Sequence, residues 1–315
     1  AATVEGRRGG AHGRECPLIV ATATDTAYVE LTAVLLASIA DRAGDAVSAV
    51  CVFCDRVSDE DKKRMSASYG RPDLRFLDID DDMVRHFAAG PVNNHLSRTA
   101  YARILMPLTL AEETGRLLYV DCDTLIAAPL APLATLPMQG FAVAAVDDVA
   151  RLVPQRHITR NRAIGLPDEM RYFNSGVLLI DLDAWRRERV TERTLEFIAS
   201  RPSLPMMDQD ALNGALRGEW LPLDESWNMH HRLEKGVYKA DPAVWEGARI
   251  VHFIGQVKPN YTDCNHPRRD LFMAYRARTP FANAPLKTKL GRKVEKRARK
   301  LRRFFGKLKR RLFGA

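Results

Sequence analysis

Two carboxylates one residue apart, Asp121-Cys122-Asp123, close the apolar run Leu117-Leu118-Tyr119-Val120. Such a run reads as a buried parallel strand, and the carboxyl edge of an α/β sheet is where these folds bind ligands. Desolvating two anions this close is costly unless a cation sits between them. A hard divalent metal, Mn²⁺ or Mg²⁺, held by oxygen ligands and shared with a substrate phosphate, meets that demand. Taken alone, the tripeptide also suits a solvated acidic turn. The later segment His252-Phe-Ile-Gly255-Gln-Val-Lys258-Pro259 strengthens the metal reading. His252 can be a third ligand and Lys258 can neutralise a diphosphate. Gly255 lets backbone approach a phosphate closely.

Three further groups could join this site. Ala23-Thr24-Asp25, with Tyr28 three residues on, offers a carboxylate and an aromatic ring suited to a nucleotide base. Asp as a helix cap is the commoner use. Thr99-Ala-Tyr-Ala-Arg103 could bring a guanidinium to phosphates or to metal-bound carboxylates. Asp208-Gln209-Asp210 opens a helix. Capping accounts for Asp208, and Asp210 could serve the same helix end, whereas Gln209 has no such structural use.

The elements that must hold these groups follow from the apolar pattern. Strands are expected at Leu18–Ala23, Val47–Cys54, Leu74–Ile79 and Arg116–Val120, with helices near Tyr28–Asp41, after Ser58 as N-cap, and at Thr99–Leu110. Alternation of this kind means parallel βαβ units. Further strands are expected at Phe141–Val146, Asn174–Ile180 and Arg249–Ile254, and helices at Ala184–Ser200 and Gln209–Arg217. Cys51 and Cys54 have redox or zinc spacing, but a strand sends residues three apart to opposite faces. With no second Cys pair, they read as core residues.

A length of 315 residues, 46% hydrophobic and 28% charged, is that of a soluble globular protein with material for a large core. No apolar stretch approaches a membrane span. Residues 1–15 read as a disordered leader without the apolar region of a signal peptide. Together with the odd number of cysteines this suggests a cytoplasmic protein. The net charge of +9 misleads, because Leu286–Ala315 holds 14 Lys/Arg and a single acid, leaving the body at −4. The expected organisation is therefore a body at 16–278, a linker at 279–285 and a basic tail at 286–315. In the tail Leu290, Val294, Ala298, Leu301, Phe304, Phe305, Leu308 and Leu312 recur at helical spacing, as in a helix lying on an anionic membrane.

In order along the chain, these motifs resemble those of glycosyltransferase family 8, closest to the bacterial lipopolysaccharide galactosyl- and glucosyltransferases. The resemblance runs from about Leu18 to Pro259 and includes Phe173-Asn174-Ser175-Gly176-Val177. It implies a single α/β Rossmann-like domain of the GT-A type, a UDP-galactose or UDP-glucose donor, Mn²⁺, and a saccharide or glycolipid acceptor, with retention of anomeric configuration. By the same resemblance Ala23, Thr24, Asp25 and Tyr28 hold uridine. Arg103, and Asp121-Cys122-Asp123 as a unit, contact the donor, while Asp121, Asp123 and His252 bind the metal. Asn174, Ser175 and Gly176 line the sugar pocket, and Gly255 and Lys258 grip the diphosphate. Asp147 lies between donor and acceptor, and Asp208 and Gln209 flank the reacting centre. Asn260 departs from the pattern, since an aromatic often follows the Lys-Pro pair.

Two rivals are weaker. A haloacid-dehalogenase-like phosphatase would use Asp121-x-Asp123-Thr124 as its nucleophile loop, yet only 23 residues separate Asp123 from Asp147, too few for that fold's other motifs. A nucleic-acid-binding protein acting through the tail would carry an acidic body with no recognised binding module, so no nucleic-acid partner is expected.

Overall fold

The opening strand, β1 (Leu18–Asp25), is buried on both faces, as its unbroken apolar run requires. The computed structural model describes residues 18–80, 83, 98–201, 204–231, 233–234, 237–238, 242–291 and 294. The expected leader and nearly all of the basic tail lie outside the described residues.

After β1 come α1 (Val29–Arg42), β2 (Val47–Asp55), α2 (Asp59–Tyr69) and β3 (Leu74–Asp78). Ser58 caps α2 as expected, its Oγ accepting from Asp61 N at 3.1 Å. Next are α3 (Arg98–Thr109), β4 (Arg116–Val120), β5 (Thr124–Ile126), the single turn α4 (Ala131–Ala134), β6 (Val143–Asp147) and α5 (Pro154–Ile164). The chain continues through β7 (Phe173–Asp181), α6 (Leu182–Arg187), α7 (Val190–Ala199), α8 (Met207–Leu216), β8 (Leu221–Pro222), β9 (Leu233–Glu234) and β10 (Val237–Tyr238). It closes with α9 (Pro242–Glu246), β11 (Ile250–His252) and α10 (Arg269–Arg276).

Seven strands form one sheet in the order β3-β2-β1-β4-β7-β6-β8. The first four are parallel, as the βαβ pattern demands, but β7 runs antiparallel to both neighbours, β4 and β6. A buried strand is apolar whichever way it runs, so its composition carries no direction. Apolar clusters cover the two faces of the sheet. Val20, Val52 and Leu118 belong to one, and Ile19, Phe53 and Leu117 to the other. Cys54 falls in the first and Cys51 in the second, so they do not face one another. Burial pushes their thiols up to about 12 and about 11.

One expectation needs correction. The helix expected over Ala184–Ser200 is broken between α6 and α7, where Arg189 takes a left-handed φ of 53°. The break lets Trp185 Nε1 donate to Thr191 Oγ1 at 2.9 Å, while Thr191 Oγ1 donates to Ile104 O at 2.8 Å. Segment 279–285, the expected linker, packs against the body. Phe281 is buried beneath the Arg64 guanidinium, 3.7 Å from its ring. Arg276 donates to Ala282 O at 3.0 Å and to Ala284 O at 2.5 Å.

Candidate active site

Strand pairing brings the chemistry together. β11 pairs antiparallel with β5, placing His252 opposite Thr124, and Phe253 N donates to Asp123 O at 2.9 Å. β7 lies against β4, and Asp121 N donates to Gly176 O at 2.8 Å. The oxygens of Asp121 and Asp123 and a ring nitrogen of His252 therefore lie within 4.8 Å of one another. His252 Nε2 is 3.6 Å from Asp121 Oδ2 and 3.3 Å from Asp123 Oδ1. A Cβ at residue 176 would stand 2.2 Å from His252 Cε1, so glycine is what lets the ring enter.

The other carboxylate oxygens are engaged from behind. Asp121 Oδ1 accepts from Arg103 Nη2 at 2.9 Å and from Tyr119 Oη at 2.5 Å. Asp123 Oδ2 accepts from Lys258 Nζ, which also donates to Phe253 O at 2.8 Å. Burial by itself would raise the Asp123 carboxyl, but Lys258 and then His252 overcome it and hold the group well below the usual range. Burial disfavours the Lys258 ammonium, and Asp123 more than compensates, so it stays charged. Two carboxylate oxygens and an imidazole nitrogen, each with its other side held, form a donor set that fits a divalent cation.

Arg103 is buried on α3 and also faces Asp208 Oδ2 at 3.1 Å and donates to Ser175 O at 2.8 Å. Asp208 is not the cap of α8, as expected. That position is Met206, whose N–H donates to Asp210 Oδ2 at 2.6 Å. Asp208 Oδ2 instead accepts from Ser175 Oγ at 3.1 Å. Burial raises its carboxyl, Arg103 opposing and Asp121 adding to the rise.

Gln209 is buried, and every polar atom of its side chain is used. Oε1 accepts from Asn174 Nδ2 and Ser175 N, both at 3.1 Å, and Nε2 donates to Asp148 Oδ2 at 3.1 Å. The acid bonded to Gln209 is thus Asp148, the neighbour of Asp147 in the chain. Asp147 is shared by Arg151 and Arg171, the latter at 2.6 Å. The sequence did not single out Asp148, Asn228 or His230. Asp148 is adjacent to the chosen acid, and nothing in strand or helix periodicity marks Asn228 or His230.

At the other end of the site, Asp25 Oδ1 accepts from Ala27 N at 2.8 Å in the turn between β1 and α1, beside Tyr28. Ala23 and Thr24 are buried just before it. Lys258, Asp123 and Cys122 all act electrostatically on the Tyr28 hydroxyl, which burial raises. The Cys122 thiol, flanked by two acids, is lifted well above its ordinary value by burial and then by Asp123 and Asp121. Gly255 adopts a φ of 96°, which favours glycine. Asn260, the departure from the motif pattern, donates to Glu30 Oε2 at 2.7 Å, and Glu30 Oε1 accepts from Arg276 at 2.6 Å. A small amide there clamps the Lys258 loop to the first turn of α1.

Beside Asn228 a cavity of about 370 Å³ is lined by Asp147, Asp148, Arg151, Glu225, His230 and His231, among others. Burial pushes the His230 imidazole down to about 4, so it is neutral near pH 7.

The mixed α/β sheet, with an acidic pair at the carboxyl edge of its central parallel strands, has the architecture of GT-A-type glycosyltransferases. Residues 19–260 match the family described as glycosyl transferase family 8, and the chain belongs to that family. Over 238 residues it is 31% identical to general stress protein A of Bacillus subtilis (strain 168), covering 71% of this chain and 80% of that protein. It is 28% identical over 176 residues to the lipopolysaccharide 1,2-glucosyltransferase of Escherichia coli (strain K12), covering 54% of this chain and 51% of that enzyme, so the match spans about half of it. The fold is similar to that of the galactosyltransferase LgtC solved with donor and acceptor sugar analogs, with a TM-score of 0.64 and 24% identity over 83% of this chain and 96% of that one.

Proposed function

We propose that this glycosyltransferase moves glucose or galactose from a UDP-sugar to a saccharide or glycolipid acceptor, such as lipopolysaccharide, with retention and with Mn²⁺ preferred over Mg²⁺. The observation that carries the proposal is the convergence of Asp121, Asp123 and His252 with the Lys258 ammonium at one sheet edge. Asp121, Asp123 and His252 would hold the cation, which when bound supplies Lewis-acid stabilisation of charge on the diphosphate. Ala23, Thr24, Asp25 and Tyr28 take the uridine, and Gly255 and Lys258 the diphosphate. Asn174, Ser175, Gly176 and Arg103 take the hexose and its phosphates. The acceptor enters from the cavity beside Asp148 and His230.

The bond from the anomeric carbon to the diphosphate oxygen breaks, and its electron pair leaves with UDP. Lys258, kept protonated by Asp123, offsets the charge that develops there. The acceptor hydroxyl forms the new bond on the same face, and its proton passes to the departing phosphate oxygen. Two displacements would need a free carboxylate nucleophile. Asp210 is fully buried and bonded to Tyr172 Oη and Met206 N, while Asp147 is taken by two arginines. Gln209, a neutral amide, stabilises the oxocarbenium-like centre instead of attacking it.

Among the described residues no helix is long and apolar enough to cross a membrane. The basic tail would hold the enzyme on the inner face of the cytoplasmic membrane, where lipid-linked acceptors reside. The deciding experiment is hydrolysis of UDP-glucose and UDP-galactose with Mn²⁺, with and without EDTA, and with para-nitrophenyl phosphate as the control for phosphatase chemistry. Turnover of a UDP-hexose that EDTA abolishes is expected. Activity undiminished by EDTA, or phosphate release alone, would overturn the reading.

A further inference from the structure

Asn228, which the function so far leaves unused, is buried between the cation ligand His252 and the residues around Gln209. Its Oδ1 is 2.9 Å from His252 Nδ1, and its Nδ2 donates to Asn174 Oδ1 at 2.8 Å. Asn174 Nδ2 donates in turn to Gln209 Oε1, and Gln209 Nε2 to Asp148 Oδ2. Amide oxygens and nitrogens look alike, so the polarity of such a chain must come from groups that can act only one way.

Two backbone N–H groups of β7 provide it. Gly176 N donates to Asn174 Oδ1 at 3.0 Å, and Ser175 N to Gln209 Oε1 at 3.1 Å. Both accepting atoms must therefore be oxygens. The atom that Asn228 turns to Asn174 must then be its nitrogen, and the atom it turns to His252 its oxygen. An oxygen there requires a proton on His252 Nδ1, which leaves the lone pair on Nε2 directed at Asp121 and Asp123.

We propose that Asn228 is the positioning residue that sets the His252 tautomer for cation binding, and that through Asn174 it joins the cation site to Gln209 and Asp148. The inference rests on the reading of Asp121, Asp123 and His252 as cation ligands. Its consequence is that the two hydrogen bonds of Asn228 serve different ends and can be cut separately. Asn228→Asp keeps an oxygen for His252 and loses the donor to Asn174. Asn228→Leu, similar in size, loses both.

The test measures Mn²⁺ binding to the full-length protein by calorimetry, with thermal unfolding alongside, and donor hydrolysis with saturating Mn²⁺. Asn228→Leu should bind Mn²⁺ about 10- to 100-fold more weakly, on the scale of losing a group that orients a ligand histidine. Asn228→Asp should bind it as the wild type does. Asn228→Asp should nevertheless turn over more slowly, and adding Gln209→Ala should slow it no further than Gln209→Ala alone, because coupled residues are not additive. Should Asn228→Leu not fold, Asn228→Ser, too short to reach either partner, carries the same expectation. Equal Mn²⁺ affinity in wild type and Asn228→Leu (or Asn228→Ser) would overturn the tautomer role, and additive slowing in the double variant would overturn the link to Gln209. A wild type that binds neither Mn²⁺ nor Mg²⁺ would remove the cation reading and the inference with it.

Discussion

At the scale of single residues, the site is built from charges that are never left without a counter-charge. Arg103 lies between Asp121 and Asp208, and Lys258 against Asp123. Removing one partner leaves the other buried and uncompensated, which is costly. Of the two proposed cation-binding acids only Asp121 is an exception, because Arg103 still meets Asp208 without it, whereas Lys258 keeps only the Phe253 carbonyl when Asp123 is removed. Asp121→Ala should therefore abolish Mn²⁺-dependent turnover with circular dichroism and Tm close to wild type, and Asp123→Ala should abolish it with a lowered Tm. Retained turnover in both variants would remove these aspartates from the site. Gln209→Ala should slow transfer about 10²–10³-fold without eliminating it, the usual effect of losing one stabilising dipole. The product of an α-linked donor should be α-linked, as NMR of the product would establish. A trapped glycosyl adduct on Asp210 or Asp147 would establish double displacement instead.

At the scale of elements, close approach between strands and helices is bought with glycine. Gly176→Ala drives a methyl group into His252, so Mn²⁺ affinity should fall at least tenfold, as when ligand orientation is lost, with little change in secondary structure. Gly214→Ala puts a Cβ 2.2 Å from Phe197 Cζ between α7 and α8. It should cost about 1–3 kcal/mol of stability by overpacking and leave Mn²⁺ affinity unchanged. Calorimetric titration and thermal melts on both variants separate the two outcomes.

Two buried histidines give the fold a pH dependence. Burial lowers His230 to about 4 and His266 to about 3, against 6.5 for the free imidazole. Between those values the unfolded chain binds protons that the folded chain refuses, so stability falls as pH drops below about 6.5. The slope is at most about 1.4 kcal/mol per pH unit for each histidine. Tm measured from pH 7 down to 4.5 should decline, and His266→Phe should make that decline shallower. An unaltered slope in that variant would show that His266 is as accessible to protons folded as unfolded.

At the scale of the whole molecule, the question is where the catalytic body ends. Lys287 N donates to Asn260 O at 2.9 Å, Thr262 N donates to Lys287 O at 2.9 Å, and Lys287 Nζ donates to Ala27 O at 3.2 Å. The root of the basic tail is thus stitched to the loop that carries Lys258 and to the turn beside Tyr28. Beyond it Leu290 and Val294, four residues apart in sequence, are exposed, 72% and 57%. Each Lys or Arg near an anionic bilayer contributes about 1 kcal/mol, so partial engagement of the tail would suffice for the proposed attachment. A chain ending at Gly291 should lose sedimentation with vesicles containing anionic lipid and keep donor hydrolysis. A chain cut before Leu286 should in addition bind UDP more weakly. If the Gly291 chain still sediments with the vesicles, the membrane role does not belong to the tail.

By itself the sequence determined the alternating strands and helices of the first half, the acidic pair at a strand end and the basic character of the last thirty residues. These are local properties, since apolar period, capping chemistry and charge density are written in neighbouring residues. It also singled out Asp208, Gln209, His252 and Lys258 as candidates for the site, through their resemblance to a family pattern. The direction of β7, the docking of 279–285 and the hydrogen bond of Gln209 to Asp148 came only from the tertiary structure. So did Asn228. Its importance depends on two backbone N–H groups of a strand more than fifty residues earlier, and a hydrogen bond between distant residues leaves no periodic trace in either segment.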